Sequence, residues 1–278
     1  MRRIIRKVDY ENNIFACLIG GNYLYFYLTK SLARKYLDFL EVGVFVTFEI
    51  ANQTKIVAGI KSYKVKYFTK IEKKTYLTTK ELYNIETVRK QILAELTQDE
   101  HYLFIDFEMT MPPYYKVSNF QPEIIQVGYY LTNKELEPIK KDTYYLKPSK
   151  YPRISKRTFK FLNLKREVFS KAKTYSYFYA DLKKIIEGYN PKIIIWGKND
   201  YLAITKSYRI NKVKPLTTKS KFINLLNKIK TFYNLSDDIG LFKAYEGFYQ
   251  TNSVQSHHAF RDAKITLQVY QAFITKNS

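Results

Sequence analysis

Four acidic residues and one histidine lie in three short segments of the chain, "FIDFEMT", "IIIWGKND" and "HHAFRDA". In chain order these residues are Asp106, Glu108, Asp200, His257 and Asp262. Carboxylates are the oxygen ligands that Mg²⁺ and Mn²⁺ prefer, and a histidine titrating near pH 7 can take a proton from water. The set is therefore suited to holding two divalent metal ions and a base beside a phosphodiester, which predicts a nuclease.

Asp106 and Glu108 belong to an apolar segment, "YLFIDFEM", whose composition predicts a central strand. Residues two apart on a strand point to the same face, so the two carboxylates project together while Phe107 points to the opposite, core-facing side. Like charges on one face repel each other unless cations compensate. A D-x-E pattern taken alone is common on solvated strands, and the apolar setting is what favours metal binding here.

The other acidic residues lie where helices are predicted to begin. Asp200 follows the apolar run "IIIWG", and the carboxyl ends of strands are where ligands bind in open α/β sheets. A helix N-cap, a role that Asn199 could share, is the ordinary alternative for Asp200. An acidic residue in the first turn of a helix, such as Asp262, is ordinarily explained by the favourable interaction of its charge with the helix dipole. Asp262 also comes only five residues after His257, so the two side chains are near enough to face one site.

The elements that must position these residues alternate between strand and helix. "YLFIDFEM", "EIIQVGYYLT" and "DTYYLKP" are joined by loops too short for crossover helices, which predicts three antiparallel strands. Helix, strand and helix follow in "YSYFYADLKKIIEGY", "KIIIWG" and "DYLAITKSYRI". "KFINLLNKIKTFYNL" fits a strand or a helix at its start, and "LFKAYEGFY" and "RDAKITLQVYQAF" predict the last helices. Residues 100–278 are thus predicted to form a mixed α/β sheet, three antiparallel then parallel strands, flanked by helices.

The sequence of residues 1–69 predicts a small β-rich domain. Two strand segments flank Gly20-Gly21, a dipeptide suited to a tight hairpin, and two more flank a predicted turn at Asn52-Gln53. Interleaved basic and aromatic residues favour a barrel of the OB or cold-shock type that binds nucleic acid. A β-domain whose tyrosines only pack in its core, without binding nucleic acid, is equally compatible with this sequence. Residues 70–99 are predicted to form a helical connection.

Composition favours a nucleic-acid partner. A length of 278 residues favours two domains. The chain has 47 Lys and Arg residues against 25 Asp and Glu, and the resulting net charge of +22 attracts polyanions such as nucleic acid or an acidic membrane surface. No segment has the length of uncharged residues that a membrane span needs. The single Cys17 excludes an intramolecular disulfide and indicates a reducing compartment, so we expect a cytoplasmic protein with no membrane partner.

A basic stretch, "KPSKYPRISKRTFKFLNLKREVFSKAKTY", separates the third strand of the α/β domain from its first predicted helix. Tyr151, Phe159 and Phe161 are interleaved with its cations. This mixture suits a groove that follows a phosphate backbone, although a solvated basic surface is the alternative.

Taken together, residues 102 to about 274 resemble the DEDDh family of 3′–5′ exonucleases, which have an RNase H-like fold. "FIDFEMT" matches the first motif of the family, "IIIWGKND" the second and "HHAFRDA" the third. The family spacing assigns the histidine of the motif to His257 rather than His258. "DFEMTMP" is similar to the branch that contains Eri-1-like RNA exonucleases and KapD, and the first 100 residues share none of the resemblance.

The resemblance implies a function and a role for each motif residue. Asp106, Glu108 and Asp262 would hold one Mg²⁺ or Mn²⁺ ion, and Asp106 would bridge toward a second ion that Asp200 supports partly through water. His257 would be the general base. The expected reaction releases nucleoside 5′-monophosphates from the 3′ end of single-stranded nucleic acid, with RNA favoured. The alternatives are a DNA 3′–5′ exonuclease of proofreading or repair type, a non-cleaving nucleic-acid-binding protein on a degenerate nuclease fold, and an RNase H-like endonuclease or integrase.

The chain departs from the family in the loop after the first motif. Many members read D-x-E-T-T-G, whereas this chain has Met109, Thr110 and Met111 in the last three positions. In the family this loop touches the terminal nucleotide, so Met109 and Thr110, together with Asn199, are predicted to contact substrate. Packing in the core is the alternative for Met109.

Overall fold

The computed structural model describes residues 1–115, 117–150, 153–251 and 257–277. The chain divides into two compact units, Met1–Ile92 and Leu93–Ser278. In the described part of the chain, no helix combines the length and the apolar character needed to cross a membrane.

Five strands of the first unit close into a barrel. The strands of this unit are β1 (Arg2–Asp9), β2 (Ile14–Ile19), β3 (Asn22–Tyr27), β4 (Phe45–Val57), β5 (Ile60–Lys74) and β6 (Thr79–Asn84). β1 pairs with β2 and β4, β2 with β3, and β4 with β5, all antiparallel, and β3 pairs in parallel with β5. The pairings therefore run β1-β2-β3-β5-β4 and back to β1, which leaves no free edge in the ring. β6 pairs with β5 outside it.

Aromatic rings fill the barrel interior, and a short helix follows its third strand. Phe15, Phe26, Phe48 and Phe68 are almost completely buried, with ring centroids 4.9–6.1 Å apart. Burying a side chain of this size contributes about 1.5–3 kcal/mol, so these rings are a main source of the unit's stability. Helix α1 (Lys30–Tyr36) lies between β3 and β4 in the chain, and the Thr29 hydroxyl caps it by accepting from Leu32 N.

Two predictions for this part of the chain are wrong. The turn between β4 and β5 lies at Ala58-Gly59, and Asn52-Gln53 lies in an irregular stretch of β4, because a strand absorbs extra polar residues by bulging. Residues 70–84 are not helical. They form the end of β5 and the short strand β6, whose mutual pairing satisfies their backbone groups, and α2 (Ile85–Thr97) starts only after them. The predicted Gly20-Gly21 hairpin is confirmed: both glycines have positive φ between β2 and β3.

A five-stranded mixed sheet forms the centre of the second unit. Its strands are β7 (His101–Met109), β8 (Ile124–Asn133), β9 (Pro138–Tyr145), β10 (Lys192–Ile195) and β11 (Phe222–Asn224). The sheet order is β11-β10-β7-β8-β9, with β7, β8 and β9 antiparallel to each other and β10 and β11 parallel to β7. The predicted mixed sheet with β7 at its centre is therefore confirmed.

Helices cover both faces of this sheet. The α-helices that follow β9 in the chain are α3 (Lys156–Phe161), α4 (Tyr175–Tyr189), α5 (Asn199–Ile210), α6 (Leu225–Tyr233), α7 (Leu241–Tyr249) and α8 (Ala259–Asn277). Leu103, Ile105 and Phe107 of β7 belong to the core that includes residues of α4 and α5. The ring of Phe104, on the opposite face, lies 5.2 Å from that of Tyr270 in α8. Because strand side chains alternate, the face toward α8 is also the face of the β7 carboxylates.

Candidate active site

Three of the predicted carboxylates form one cluster at the end of β7. One oxygen from each of Asp106, Glu108 and Asp262 lies within 4.8 Å of the other two. The first two come from alternate positions of β7, and the third comes from the first turn of α8. Carboxylates this close cannot all be ionised without compensation, so the cluster requires either protons or cations.

Burial and mutual repulsion raise the pKa values of these groups. Burial, followed by the charges of Asp262 and Asp200, raises the pKa of Glu108 from 4.5 to about 8. Burial likewise raises the pKa of Asp200 and that of Asp262 to about 7. The pKa of Asp106 lies well above its ordinary value, because of burial first and then the charges of the other three carboxylates. Without cations, the cluster therefore retains protons close to neutral pH.

The cluster fits a hard divalent cation. Oδ1 of Asp262 is buried and has no hydrogen-bond partner within the described residues. Leaving such an oxygen unpaired costs roughly 1–3 kcal/mol or more, and a bound cation would remove that cost. All the donors are carboxylate oxygens, which suit Mg²⁺ and Mn²⁺ better than soft metals.

Asp200 is fixed to the same strand from a different helix. It is buried in the first turn of α5, and its Oδ1 accepts a hydrogen bond of 3.2 Å from the N–H of Phe107, the residue between the two β7 carboxylates. The alternative role as a helix N-cap is wrong, because the cap residue of α5 is Lys198 and Asp200 lies inside the helix. Asp200 is outside the group of three oxygens, although its charge raises the pKa of Asp106 and Glu108.

Gly128 of β8 lets α8 approach the sheet, a role that the sequence analysis missed. It lies directly opposite Asp106 in the β7–β8 pair. A Cβ atom at Gly128 would lie 2.1 Å from the backbone nitrogen of Phe260 and 2.3 Å from the carbonyl carbon of Ala259. Only glycine permits this approach, which brings the first turn of α8, and with it Asp262, over the β7 carboxylates. The signal in the sequence was an isolated glycine inside a strand pattern.

Gln126 holds the same turn from the neighbouring position and was also missed. Its side chain is almost completely buried, and it faces Glu108 in the β7–β8 pair. Nε2 of Gln126 lies 3.0 Å from Nε2 of His258, and its Oε1 accepts from the N–H of Ala259 at 3.3 Å. A buried glutamine inside an apolar strand is an unusual feature that such pairing explains.

The two adjacent histidines have different environments. His258 is held by Gln126, and burial lowers its pKa. The ring of His257 stacks on that of Phe161 in α3, with centroids 4.4 Å apart and an interplanar angle of 28°. Stacking covers one face of the His257 ring and does not itself involve the ring nitrogens, which lie in the ring plane.

The three residues predicted to contact substrate differ in their exposure to solvent. Met109 is partly buried against the core, in agreement with the packing alternative. Thr110 is buried, and its Oγ1 accepts from the N–H of Glu123 at 2.9 Å. Asn199 is exposed at the first position of α5. Of the three, Asn199 is the most accessible to a ligand.

The aromatic residues of the basic stretch also differ from one another. Phe159 packs edge-on against Phe169 at 5.9 Å, with the guanidinium of Arg166 at 5.7 Å. Phe161 is half exposed and stacks on His257. Tyr151 lies outside the described residues.

The known proteins to which this chain is similar include 3′–5′ exonucleases. The chain is 30% identical over 172 residues to the probable 3′–5′ exonuclease KapD of Bacillus subtilis, a match that covers 62% of this chain and 82% of that protein. No family model matches the chain. Among solved structures, the nuclease domain of 3′hExo, a DEDDh family member bound to rAMP, matches with a TM-score of 0.56 at 17% identity. That match covers 65% of this chain and 94% of the domain.

A second structure shows the same fold in a longer chain. A 3′-exonuclease that recognises the histone mRNA stem-loop matches with a TM-score of 0.55 at 14% identity. The match covers 64% of this chain and 65% of that one, so this chain spans slightly less than two thirds of it. Fold, site and the relative in Bacillus subtilis together place this chain in the DEDDh family of 3′–5′ exonucleases.

Proposed function

We propose that this protein is a divalent-metal-dependent 3′–5′ exonuclease that shortens single-stranded nucleic acid, with RNA favoured, and releases nucleoside 5′-monophosphates. The observation that carries the proposal is the cluster of Asp106, Glu108 and Asp262, each of which brings one carboxylate oxygen within 4.8 Å of the other two. Asp262 also has a buried Oδ1 without a hydrogen-bond partner among the described residues. Proteins do not keep such a cluster for stability, because its mutual repulsion opposes folding.

Each motif residue has a proposed task. Asp106, Glu108 and Asp262 would hold one Mg²⁺ or Mn²⁺ ion, and Asp200 would support a second. Two such ions supply positive charge for the attacked phosphate and lower the pKa of a water molecule. His257 would take the proton of the attacking water at a ring nitrogen. Phe161 would keep the imidazole plane fixed while this happens.

The preference for RNA rests on two supports. The segment "DFEMTMP" is similar to the Eri-1-like branch of the family, and one structural relative is described as recognising histone mRNA. DNA is the competing substrate. A cytoplasmic location likewise stays a prediction from the single cysteine, Cys17, which is buried.

We also propose that the first unit binds single strands. Its closed ring β1-β2-β3-β5-β4, with a helix between β3 and β4, supports the proposal that it is a barrel of the OB type, a fold that binds oligonucleotides on its outer surface. Lys7 Nζ lies 4.2 Å from the ring centroid of Tyr23 on β3, and Tyr23 is exposed. Beside them, Arg3 and Arg6 line a surface pocket of about 320 Å³. Cations beside exposed rings suit a phosphate backbone with stacked bases.

The test is cleavage of 3′- and 5′-labelled RNA and DNA oligonucleotides of the same sequence with Mg²⁺ or Mn²⁺. We expect stepwise shortening from the 3′ end, faster on RNA, abolished by EDTA and by Asp106→Asn. Glu187→Gln, which removes an exposed carboxylate of α4, is the matched control and should cleave normally. Internal cuts would indicate an endonuclease, and cleavage by Asp106→Asn at the wild-type rate would refute the proposal.

A further inference from the structure

A cavity of about 540 Å³ lies next to the end of the strand that carries the catalytic carboxylates. Its walls come from described residues of two segments: 110–115, 117 and 120, which follow β7, and 153–157, which lead into α3. Thr110 and Met111 line it and lie two and three residues beyond Glu108 in the chain. Its volume is within the range of roughly 300–1,000 Å³ that ligand pockets occupy.

The cavity combines free cations with exposed aromatic rings. Its basic residues are Arg153, Lys156 and Arg157, and the ion pairs found in the described part of the chain include none of them. Tyr114 and Tyr115, which also line the cavity, are 72% and 73% exposed. Arginine and lysine without carboxylate partners are suited to phosphate oxygens, and an exposed ring offers a face on which a base can stack.

Hydrogen bonds hold the two walls of the cavity together. The N–H of Met111 donates to Thr158 Oγ1 at 2.9 Å, and the Ser155 hydroxyl donates to the carbonyl of Met111 at 2.9 Å. The backbone of the two walls is therefore held together without a ligand, which reduces the entropy cost of binding.

We propose that this cavity binds a second nucleotide of the substrate strand, on the 5′ side of the scissile bond. Its base would stack on Tyr114, and its phosphate would contact Arg153 and Arg157. The guanidinium of Arg157 lies 5.9 Å from the ring centroid of Tyr114, so one nucleotide can reach both groups. This inference rests on the proposed exonuclease function and extends it, because it makes the enzyme prefer strands over single nucleotides.

The test compares two substrates that differ in the upstream nucleotide. One is a ten-nucleotide oligouridine, and the other is the p-nitrophenyl ester of uridine 5′-monophosphate, which has no nucleotide beyond the bond that breaks. Tyr114→Ala should raise KM for the oligonucleotide about 5- to 100-fold, the usual effect of losing one stacked base. Arg157→Gln should also raise it, because a phosphate contact is lost, and both variants should leave the ester unaffected. Lys184→Gln, which removes one positive charge at an exposed position of α4 as Arg157→Gln does in the cavity, is the control and should alter neither.

Two results would overturn the inference. Equal losses on both substrates would assign the cavity to the terminal nucleotide, and no loss on either would leave it without a role in binding. Fluorescence anisotropy of the labelled oligonucleotide in EDTA, where cleavage stops, should show the same weakening by both variants. If the wild type hydrolyses neither substrate with Mg²⁺ or Mn²⁺, the proposed function fails, and the anisotropy measurement alone then decides for or against the cavity. An unchanged melting temperature confirms that each variant is folded.

Discussion

The imidazole of His257 stacks on the ring of Phe161, so the proposed general base is held by a residue 96 positions earlier in the chain. Phe161 ends α3, and α3 also carries Thr158, which bonds to Met111 in the loop after β7. One short helix thus contacts both the proposed base and the loop predicted to contact substrate. A side chain that fixes the plane of the base acts on the rate of the chemical step more than on binding.

Phe161→Ala should lower kcat about 2- to 10-fold with little change in KM, because an aromatic pair contributes roughly 0.5–1.5 kcal/mol to fixing the ring. Phe161→Tyr should restore the rate. His257→Ala should lower kcat by about 10²–10⁴, the usual contribution of a general base. In that background Phe161→Ala should have no further effect on kcat, and an additive loss would show that Phe161 does not act through His257.

The roles of His257 and His258 can be distinguished by one conservative substitution at each position. His258→Gln keeps a hydrogen-bonding group beside Gln126 and should retain most of the activity. His257→Gln should lose it, because an amide cannot take a proton from water near neutral pH. If the effects are reversed, the general base is His258 and the spacing in the third motif was misinterpreted. Steady-state kinetics on the same oligonucleotide measures both.

Gly128→Ala should weaken metal binding and destabilise the protein, because its Cβ would meet the backbone of α8 at 2.1 Å. Backbone cannot move aside as a flexible side chain does, so the first turn of α8 and Asp262 must shift. We expect a loss of about 1–3 kcal/mol in stability and a higher Kd for Mn²⁺ in a calorimetric titration. Gly188→Ala is the matched control: its Cβ would meet nothing within 4 Å in α4, and replacing a helical glycine should stabilise by up to about 1 kcal/mol.

The sequence predicted the sheet because its signals are local. Two-residue alternation and apolar runs identified β7, β8 and β10, and the positions of Asp106 and Glu108 followed from that alternation. The closure of the barrel was only suggested, because the parallel pairing of β3 with β5 joins segments that carry no mutual signal. The segment 70–84 was misassigned because its polar residues have no strong period of either kind.

The site was predictable to the level of residue type and order, and no further. Four acidic residues and a histidine could be predicted from the sequence as site residues, but the contacts that hold them in place could not. The hydrogen bond from Phe107 N to Asp200, the pairing of Gln126 with His258 and the stacking of Phe161 all join residues far apart in the chain. Such contacts depend on the three-dimensional packing of α3, α5 and α8, which a single sequence does not specify locally.

Metal-free protein should become less stable as pH rises from about 4.5 to about 8. The folded pKa of Glu108 is about 8 against an ordinary 4.5, so over this window the folded state binds more protons than the unfolded state. A group whose pKa is raised in the folded state contributes its full stabilisation at pH values below its ordinary, unfolded-state pKa. This stabilisation is lost as pH rises through the pKa of the folded state. Melting temperature in EDTA should therefore fall between pH 5 and pH 8, and Asp106→Asn, which removes one of the repelling charges, should flatten the dependence.

Divalent cations should reverse this loss. At pH 8, Mg²⁺ or Mn²⁺ at about 100 times its Kd should stabilise the wild type by about 2.7 kcal/mol, and the increase in melting temperature should be smaller at pH 5, where protons compete for the carboxylates. Asp106→Asn should lose most of the increase at both pH values. An equal increase in Asp106→Asn would mean that the cations bind elsewhere.

Variants of the barrel surface should change the salt dependence of binding without changing the chemistry. If Arg6 and Lys7 contact phosphates, each change to Gln should reduce the slope of log K against log salt by about 0.7, the value for single strands. Tyr23→Ala should weaken binding with the slope unchanged, because stacking releases no counterions. Lys80→Gln, on β6 outside the closed ring, is the matched control and should keep both affinity and slope. If the slopes of Arg6→Gln and Lys7→Gln equal that of the wild type, the barrel does not meet the phosphate backbone, and a structural role for the first unit would follow.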